Sequence, residues 1–186
     1  EVTSYYSGGN ENDFVLNFNL DALKRKSWMF DFDFFMALTQ FNNKRSENNQ
    51  RIWAYGIPKI NLTFNEWSVS AGFKIGFYDD AAGGGSGFLL PDVAVSYTFG
   101  NHISIYGEVK GQVIRNDFNS VVSQNRYVSD SITLNTSIEK IGLKLGMSGG
   151  LLPRMTYHIN VSIKSIDDQL YFTNNKMDPS YFDVVY

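Results

Sequence analysis

Several features common in other protein classes are missing from this sequence of 186 residues. It contains no cysteine, which excludes disulfide bonds and thiolate metal sites. Its formal net charge of −3 argues against a nucleic-acid-binding surface, so no nucleic acid is expected as a partner. No run of about 18 apolar residues occurs, so a transmembrane helix is not expected. Membrane-crossing strands need only about 9–11 residues each, and they are recognised by alternating apolar and polar residues and not by long apolar runs.

Aromatic residues, by contrast, make up 16% of the chain. The segment 67–77 shows how they are arranged, because its apolar and polar residues alternate strictly. In a strand this alternation places the two kinds on opposite faces. A soluble β-sandwich would bury the apolar face, whereas an outer-membrane barrel would turn it towards lipid. The apolar positions are Trp67, Val69, Ala71, Phe73, Ile75 and Phe77.

The same alternation recurs along the chain and predicts eight strands with the start of a ninth. Apolar residues change parity twice within a segment, near Pro58-Lys59 and near Glu139-Lys140, and a β-bulge is expected at each place. The predicted strands cover approximately residues 14–22, 28–41, 51–64, 67–77, 92–99, 103–113, 132–147, 155–163 and 181–186.

The predicted connections alternate between short and long. Short turns are expected around residues 24–27, 65–66, 100–101 and 151–154, and long loops at 42–50, 79–87, 115–130 and 167–180. Short turns at one end and long loops at the other are typical of outer-membrane barrels. The sequence therefore predicts an all-β fold, a transmembrane antiparallel up-and-down β-barrel in a single domain over residues 1–186. The ninth segment is expected to pair with the eighth strand, as part of a larger barrel.

Within this barrel, charged and polar side chains opposite the apolar face are expected to point into the lumen. Those predicted to face the lumen are Asp31, Asp33, Lys74, Glu108, Lys110, Lys144, His158 and Lys164. Aromatic residues near the strand ends are expected to lie at the two membrane interfaces. Those predicted as interface residues are Trp28, Trp53, Trp67, Phe77, Phe99 and Tyr157.

Three patterns could carry chemistry, but each has a simpler explanation. Asp31 and Asp33 could form an acid–base pair, but an acidic pair that lines the lumen and meets water or lysines explains them better, because no other catalytic signal accompanies them. His102 and His158 are not combined with an evident nucleophile or with metal-ligand spacing. The glycine-rich stretch 83–87 lacks the lysine of a phosphate-binding loop and is expected to be an external loop. No catalytic residue, metal or cofactor is therefore predicted.

Several stretches resemble the barrels of Bacteroidetes outer-membrane proteins of the TonB-dependent receptor or receptor-like kind. They are Phe88-Leu-Leu-Pro-Asp-Val-Ala-Val-Ser-Tyr, Ile105-Tyr-Gly-Glu-Val-Lys-Gly, Asn125-Arg-Tyr-Val, Leu170-Tyr-Phe-Thr-Asn-Asn and Tyr181-Phe-Asp-Val-Val-Tyr. The resemblance implies uptake of a small substrate across the bacterial outer membrane, with the lipid bilayer as the main partner. The alternative is a structural barrel that assembles with other outer-membrane or periplasmic proteins.

Overall fold

The structure is a computed structural model. It describes residues 2–4, 10–22, 27–43, 46–80, 84–100, 103–129, 134–152, 155–178 and 180–185. The short strands are β1 (Val2–Ser4), β10 (Tyr171–Asn174) and β11 (Phe182–Val185), and the helix is α1 (Phe118–Gln124). The long strands are β2 (Asn10–Ala22), β3 (Trp28–Asn43), β4 (Ser46–Phe64), β5 (Trp67–Asp80), β6 (Gly84–Phe99), β7 (Ile103–Ile114), β8 (Ser137–Leu152) and β9 (Met155–Asp167).

The long strands form an antiparallel up-and-down sheet, in which each strand pairs with the next along the chain. The short strand β1 pairs with the start of β2 and lies at one edge of this sheet. The all-β fold with eight up-and-down strands is thus confirmed. No described residue of β9 pairs with β1 or β2, so the sheet is not closed and a barrel is not shown. Across the described ranges, no helix is long and apolar enough to span a membrane.

Each long strand has an apolar face and a polar face, as the alternating sequence predicts. Directly opposite residues of neighbouring strands share a face, so the register joins these faces across the sheet. Phe18 lies opposite Phe34, for example, while Asn19 lies opposite Asp33. Much of the apolar face is exposed, including Phe73 at 45%. We call the two surfaces of the sheet the apolar face and the polar face.

The register is staggered steadily from one strand to the next. We call one unbroken line of opposite residues on the polar face the charged row. It begins at Asp21, one residue before the end of β2, and finishes at Lys164, nine residues after the start of β9. The strands are therefore inclined relative to the line of short turns that joins them. The charged row consists of Asp21, Asp31, Lys59, Gly72, Asp92, Lys110, Gly142 and Lys164.

The two predicted bulges have different outcomes. The bulge near Glu139-Lys140 is confirmed, because the register of β8 shifts by one residue there against both neighbouring strands. The bulge near Pro58-Lys59 is wrong, since the register between β3 and β4 is the same on both sides of Pro58. The apolar residues on either side of Pro58 therefore lie on opposite faces of β4.

At one end of the sheet, consecutive strands are separated by short connections, at 23–27, 65–66, 100–102 and 153–154, as expected. At the two-residue turn between β4 and β5, Asn65 has a positive φ of 50°. Asparagine tolerates this conformation better than most residues. The Thr98 amide also donates to the carbonyl of Glu66 in this turn, over 3.0 Å. We call this end of the sheet the turn end.

The opposite end, which we call the loop end, differs from the prediction. The expected long loops at 42–50 and 79–87 are largely strand, because β3 with β4 and β5 with β6 continue to pair there. The connection between β7 and β8 is long and contains α1, which the sequence analysis did not predict. The predicted ninth strand is also misplaced, since its described residues pair with β10 and not with β9.

Candidate functional site

All eight residues predicted to face a lumen lie on the polar face, as the cross-strand pairs show. Five of the six predicted interface aromatics lie on the apolar face, namely Trp28, Trp67, Phe77, Phe99 and Tyr157. The sixth, Trp53, requires a correction. It lies on the polar face opposite Ala37 and is only 1% exposed. The polar face is therefore the candidate functional site, and its side chains are described from β2 to β9.

On β3, Asp31 and Asp33 are each held by an asparagine of a neighbouring strand. The Asn61 amide donates to Asp31, and the Asn19 amide donates to Asp33. The other carboxylate oxygen of Asp31 is buried without a hydrogen-bond partner in the described structure. The two carboxylates thus have different partners, which favours the acidic lining over an acid–base pair.

An ion pair crosses β5 on the polar face. Lys59 of β4 and Asp92 of β6 are 3.1 Å apart, although β5 lies between them. The residue between them is Gly72, and a Cβ placed there would be 2.6 Å from the Pro58 carbonyl oxygen. Glycine therefore leaves the space in which the two charged side chains meet. Regular pairing at Pro58 matters here as well, because it keeps Lys59 on the polar face.

An aromatic group lies one step nearer the loop end. Phe35 and Tyr55 are opposite each other and their rings stack with centroids 4.8 Å apart. Phe88 meets Tyr55 edge-on at 6.3 Å. Lys74 Nζ lies 5.0 Å above the Tyr55 ring and donates to the Gly111 carbonyl over 3.4 Å. This part of the polar face therefore combines ring surfaces with a cation.

On β7 to β9, the polar face presents hydroxyl, imidazole and ammonium groups. Tyr106 reaches across Gly146 of β8, and its hydroxyl lies 2.8 Å from Nε2 of His158 on β9. Lys144 lies 5.4 Å from the Tyr106 ring, and Glu108 pairs with Lys110 at 3.2 Å. His158 therefore has a phenol as its neighbour, while the other candidate histidine, His102, lies outside the described residues.

Glu139 is the most deeply placed acid of this region, with 4% of the residue exposed. Its carboxylate accepts from Lys164 over 2.9 Å and from Gln112 over 3.1 Å. The bulge at Lys140 places Glu139 on the polar face while Ile138 and Ile141 remain on the apolar face. The parity change in the sequence was the signal for this arrangement.

The connection between β7 and β8 covers the polar face near the loop end of β4. We call its described residues, 115–129 and 134–136, the cap. Arg51 of β4 donates to the Asn116 carbonyl over 2.6 Å and to the Thr136 hydroxyl over 3.2 Å. The Trp53 indole also donates to the Thr136 hydroxyl, over 2.9 Å. Arg51 was not predicted as a site residue, because nothing in its local sequence distinguishes it from a solvent-facing arginine.

The helix within the cap has a recognisable start. Asp117 is its N-cap, and its side chain accepts from the Ser120 amide over 2.6 Å. Asp117 also pairs with Arg115 at 3.2 Å. An aspartate at this position is a common helix-starting signal, which could have revealed α1 within the predicted loop.

The remaining sequence candidates do not gather into a reactive centre. Residues 84–87 of the glycine-rich stretch are strand, paired with residues 77–80, while Gly83 lies outside the described residues. Among the residues that the structure describes, no group of three or more His, Cys, Asp or Glu could hold a metal ion. Comparison with known protein families, curated proteins and solved structures gives no match for this chain.

Proposed function

We propose that this chain is the wall of a β-barrel in the bacterial outer membrane, similar to TonB-dependent receptors, and that it serves the uptake of a small polar solute. The carrying observation is the exposed apolar face on eight successive long strands. Phe18, Phe73, Ile105, Leu145 and Val161 belong to this one surface and are all more than two-fifths exposed. Soluble monomers rarely expose an apolar surface of this extent, and lipid is the partner that would cover it.

The stagger of the sheet supports the same proposal. The charged row advances by about 8 residues over seven strand-to-strand steps, from Asp21 to Lys164. With a rise of ~3.3 Å per residue and a strand spacing of ~4.8 Å, this corresponds to a tilt of about 38° if the short turns are level. Strands of outer-membrane barrels are tilted by about 35–45°.

The positions of the aromatic side chains agree with two membrane interfaces. Trp28, Trp67 and Phe99 lie on the apolar face at the turn end, where β3 and β5 begin and β6 finishes. Phe77 lies on the same face, ten residues further along β5 than Trp67. Aromatic rings favour the boundary between lipid and water, so the two positions would mark opposite edges of the apolar band.

In the proposed barrel, the polar face lines the passage. The Lys59–Asp92 pair, the Lys74–Tyr55 contact and the Tyr106–His158 contact supply cations, carboxylates and ring surfaces to a passing solute. This composition suits uptake of a hydrated organic molecule and requires no chemical step.

A second candidate function is a structural barrel that anchors other outer-membrane or periplasmic proteins. It is favoured by the ion pairs that bridge the polar face and by the cap, which together leave less room for a solute. In that case the protein would bind partners in fixed stoichiometry and would conduct no solute when purified.

Location is tested first. The protein is expected to fractionate with the outer membrane and to require detergent for extraction, and recovery as a detergent-free soluble monomer would refute the barrel.

Which face of the sheet meets lipid is tested by Phe73→Arg, which places a charge on the apolar face and should cost about 2–4 kcal/mol of unfolding free energy near mid-membrane. Ser70→Arg on the polar face of the same strand is the matched control and should cost less.

Uptake is then separated from anchoring by reconstitution. Liposomes that contain the purified protein should swell in small sugars or amino acids if the polar face lines a passage. Membrane-inserted protein that gives no swelling, but copurifies with a partner in constant ratio, would favour the anchoring function.

A further inference from the structure

Arg51 and Trp53 of β4 attach the cap to the polar face. Two arginines stack near the Trp53 ring: the Arg51 guanidinium carbon is 4.6 Å from the ring centroid, and that of Arg115 in the cap is 5.5 Å away. Together with the hydrogen bonds to Asn116 and Thr136, these contacts form what we call the β4 anchor.

The β4 anchor is the most deeply buried part of the polar face. Arg51 is 4% exposed, and Ala37 and Thr39, which lie opposite Trp53 and Arg51 on β3, are 0% and 1% exposed. Further towards β9, on the same face, His158 and Lys164 are exposed. Since the cap side chains contact Arg51 and Trp53 directly, the cap accounts for this local burial.

The cap also carries buried apolar side chains. Phe118 and Val121 of α1, and Val128 after it, are all buried. Burial of apolar side chains stabilises the position of the segment that carries them. In the position that the structure shows, the cap therefore keeps these three side chains away from water.

The cap is tied to a second connection at the loop end. Val128 forms a parallel bridge with Phe182 of β11, and the Phe182 amide donates to the Tyr127 carbonyl over 2.9 Å. The Ser137 hydroxyl, next to the cap, donates to the Asp168 carbonyl over 2.5 Å. The cap and the β10–β11 hairpin are thus linked, so a movement of one would be transmitted to the other.

The β10–β11 hairpin carries a local turn of its own. Ser180 donates its amide and its hydroxyl to Asp178, over 3.0 and 2.5 Å. These hydrogen bonds, the hydroxyl's first, hold the pKa of Asp178 below its ordinary value. The turn is exposed at the loop end, where a ligand that approaches the sheet from this side would meet it.

We infer that the cap is a gate, which closes the passage at the loop end while the β4 anchor holds it against the wall, and opens when this anchor is released. The inference rests on the proposed function, because it assigns regulation to the same polar face. The anchor consists of hydrogen bonds and cation–π contacts between β4 and the cap. Release of Arg51 and Trp53 would therefore let the cap leave the wall and would admit water to the apolar side chains that are now buried.

Cysteine labelling provides the test, because the native chain has no cysteine. Val121→Cys places a single thiol at a buried position of α1, and Gln124→Cys places one at an exposed position of the same helix. Purified protein is treated with a maleimide, and the labelling rate is measured. The thiol at position 121 is expected to react at least tenfold more slowly than the thiol at position 124, and adding Arg51→Ala should raise its rate at least tenfold.

A second variant guards against a folding defect. Trp53→Phe keeps an aromatic ring on β4 but removes the indole donor to Thr136, and it should also raise the labelling rate at position 121. Protein that keeps its β-sheet circular dichroism but shows no increase with either variant would overturn the gate. Equal labelling rates at positions 121 and 124 without any anchor mutation would overturn it as well.

Conductance in planar bilayers separates the gate from the proposed passage. Arg51→Ala is expected to increase the open fraction of single channels over that of the unmodified protein. Faster labelling without any conductance would show that the cap moves but that no passage exists. It would therefore refute the gate and the proposed uptake together. Conductance that is equal in both proteins would retain the passage and refute the gate alone.

Discussion

The loop-end half of β4 and the bulged part of β8 share one sequence pattern but differ in their backbone structure. In both, the apolar residues change parity within one strand. In β8 the backbone inserts Lys140, so that Ile138 and Ile141 stay on the apolar face and Glu139 stays on the polar face. In β4 the backbone continues regularly, and Trp53 moves to the polar face.

The difference follows from what covers each side chain. Near Lys140 an apolar residue turned to the polar face would replace Glu139, whose carboxylate holds Lys164 and Gln112. Near Trp53 the cap supplies a hydroxyl and a guanidinium, so an indole can be buried there with its N–H satisfied. A parity change in a strand therefore indicates either a bulge or an apolar side chain that is covered on the polar face. Which of the two occurs depends on the segments that pack against the strand.

The largest expected effect tests the covered patch. Trp53→Ala removes a ring that is 1% exposed and leaves a cavity, so it should lower the unfolding free energy by about 3–5 kcal/mol. Denaturation by urea in detergent micelles measures this change. Trp67→Ala is the matched control, because Trp67 is 41% exposed on the apolar face, and it should cost less. A smaller loss of unfolding free energy at position 53 than at position 67 would indicate that Trp53 lies at the membrane interface and is not covered by the cap.

Deletion of Lys140 tests the bulge. Without the inserted residue, Ile138, Glu139 and Ile141 alternate regularly, so all three keep their faces and the carboxylate can keep Lys164 and Gln112. The deletion should therefore cost less unfolding free energy than Glu139→Ala, which removes contacts of a buried charged group that are worth about 2–4 kcal/mol together. Urea titration in micelles measures both variants, and a loss from the deletion as large as that from Glu139→Ala would show that β8 needs the inserted residue.

Gly72→Ala tests the regular backbone at Pro58. The added Cβ would be 2.6 Å from the Pro58 carbonyl oxygen and would press on Lys59, so that β4 or the Lys59–Asp92 pair has to shift. Such overpacking should cost about 1–3 kcal/mol. Gly100→Ala is not a suitable control, since Gly100 has a positive φ of 55°. Gly84→Ala is suitable, because the space around it is open, and it should have no comparable effect on thermal unfolding.

The smallest effect is expected for Lys140→Ala. The Lys140 side chain is exposed and pairs with Asp167 on the surface, where ion pairs contribute little. The unfolding midpoint should remain within experimental error, in contrast to that of Glu139→Ala. A large loss with Lys140→Ala would mean that the side chain, and not the inserted backbone unit, maintains the bulge.

The sequence by itself determined the strands and their two faces. Side chains alternate with a period of two, so the placement of Phe73 and Lys74 on opposite faces follows from their positions alone. The same rule puts all eight polar candidates on one face, and the structure has them on the polar face of the sheet. A change of parity in the sequence also predicted the bulge at Lys140. The short turns could also be predicted, because residues such as Asn65 tolerate the backbone conformation that a two-residue turn requires.

The tertiary structure alone decided which side chains meet across the sheet and what covers them. Arg51 and Thr136 are 85 residues apart in the chain, and no local pattern links them. The β11 strand likewise has a distant partner, because Val128 of the cap forms a bridge with Phe182. Alternation fixes the face of a residue but carries no information about distant partners, and the cap, its anchor and the position of Trp53 depend on those partners.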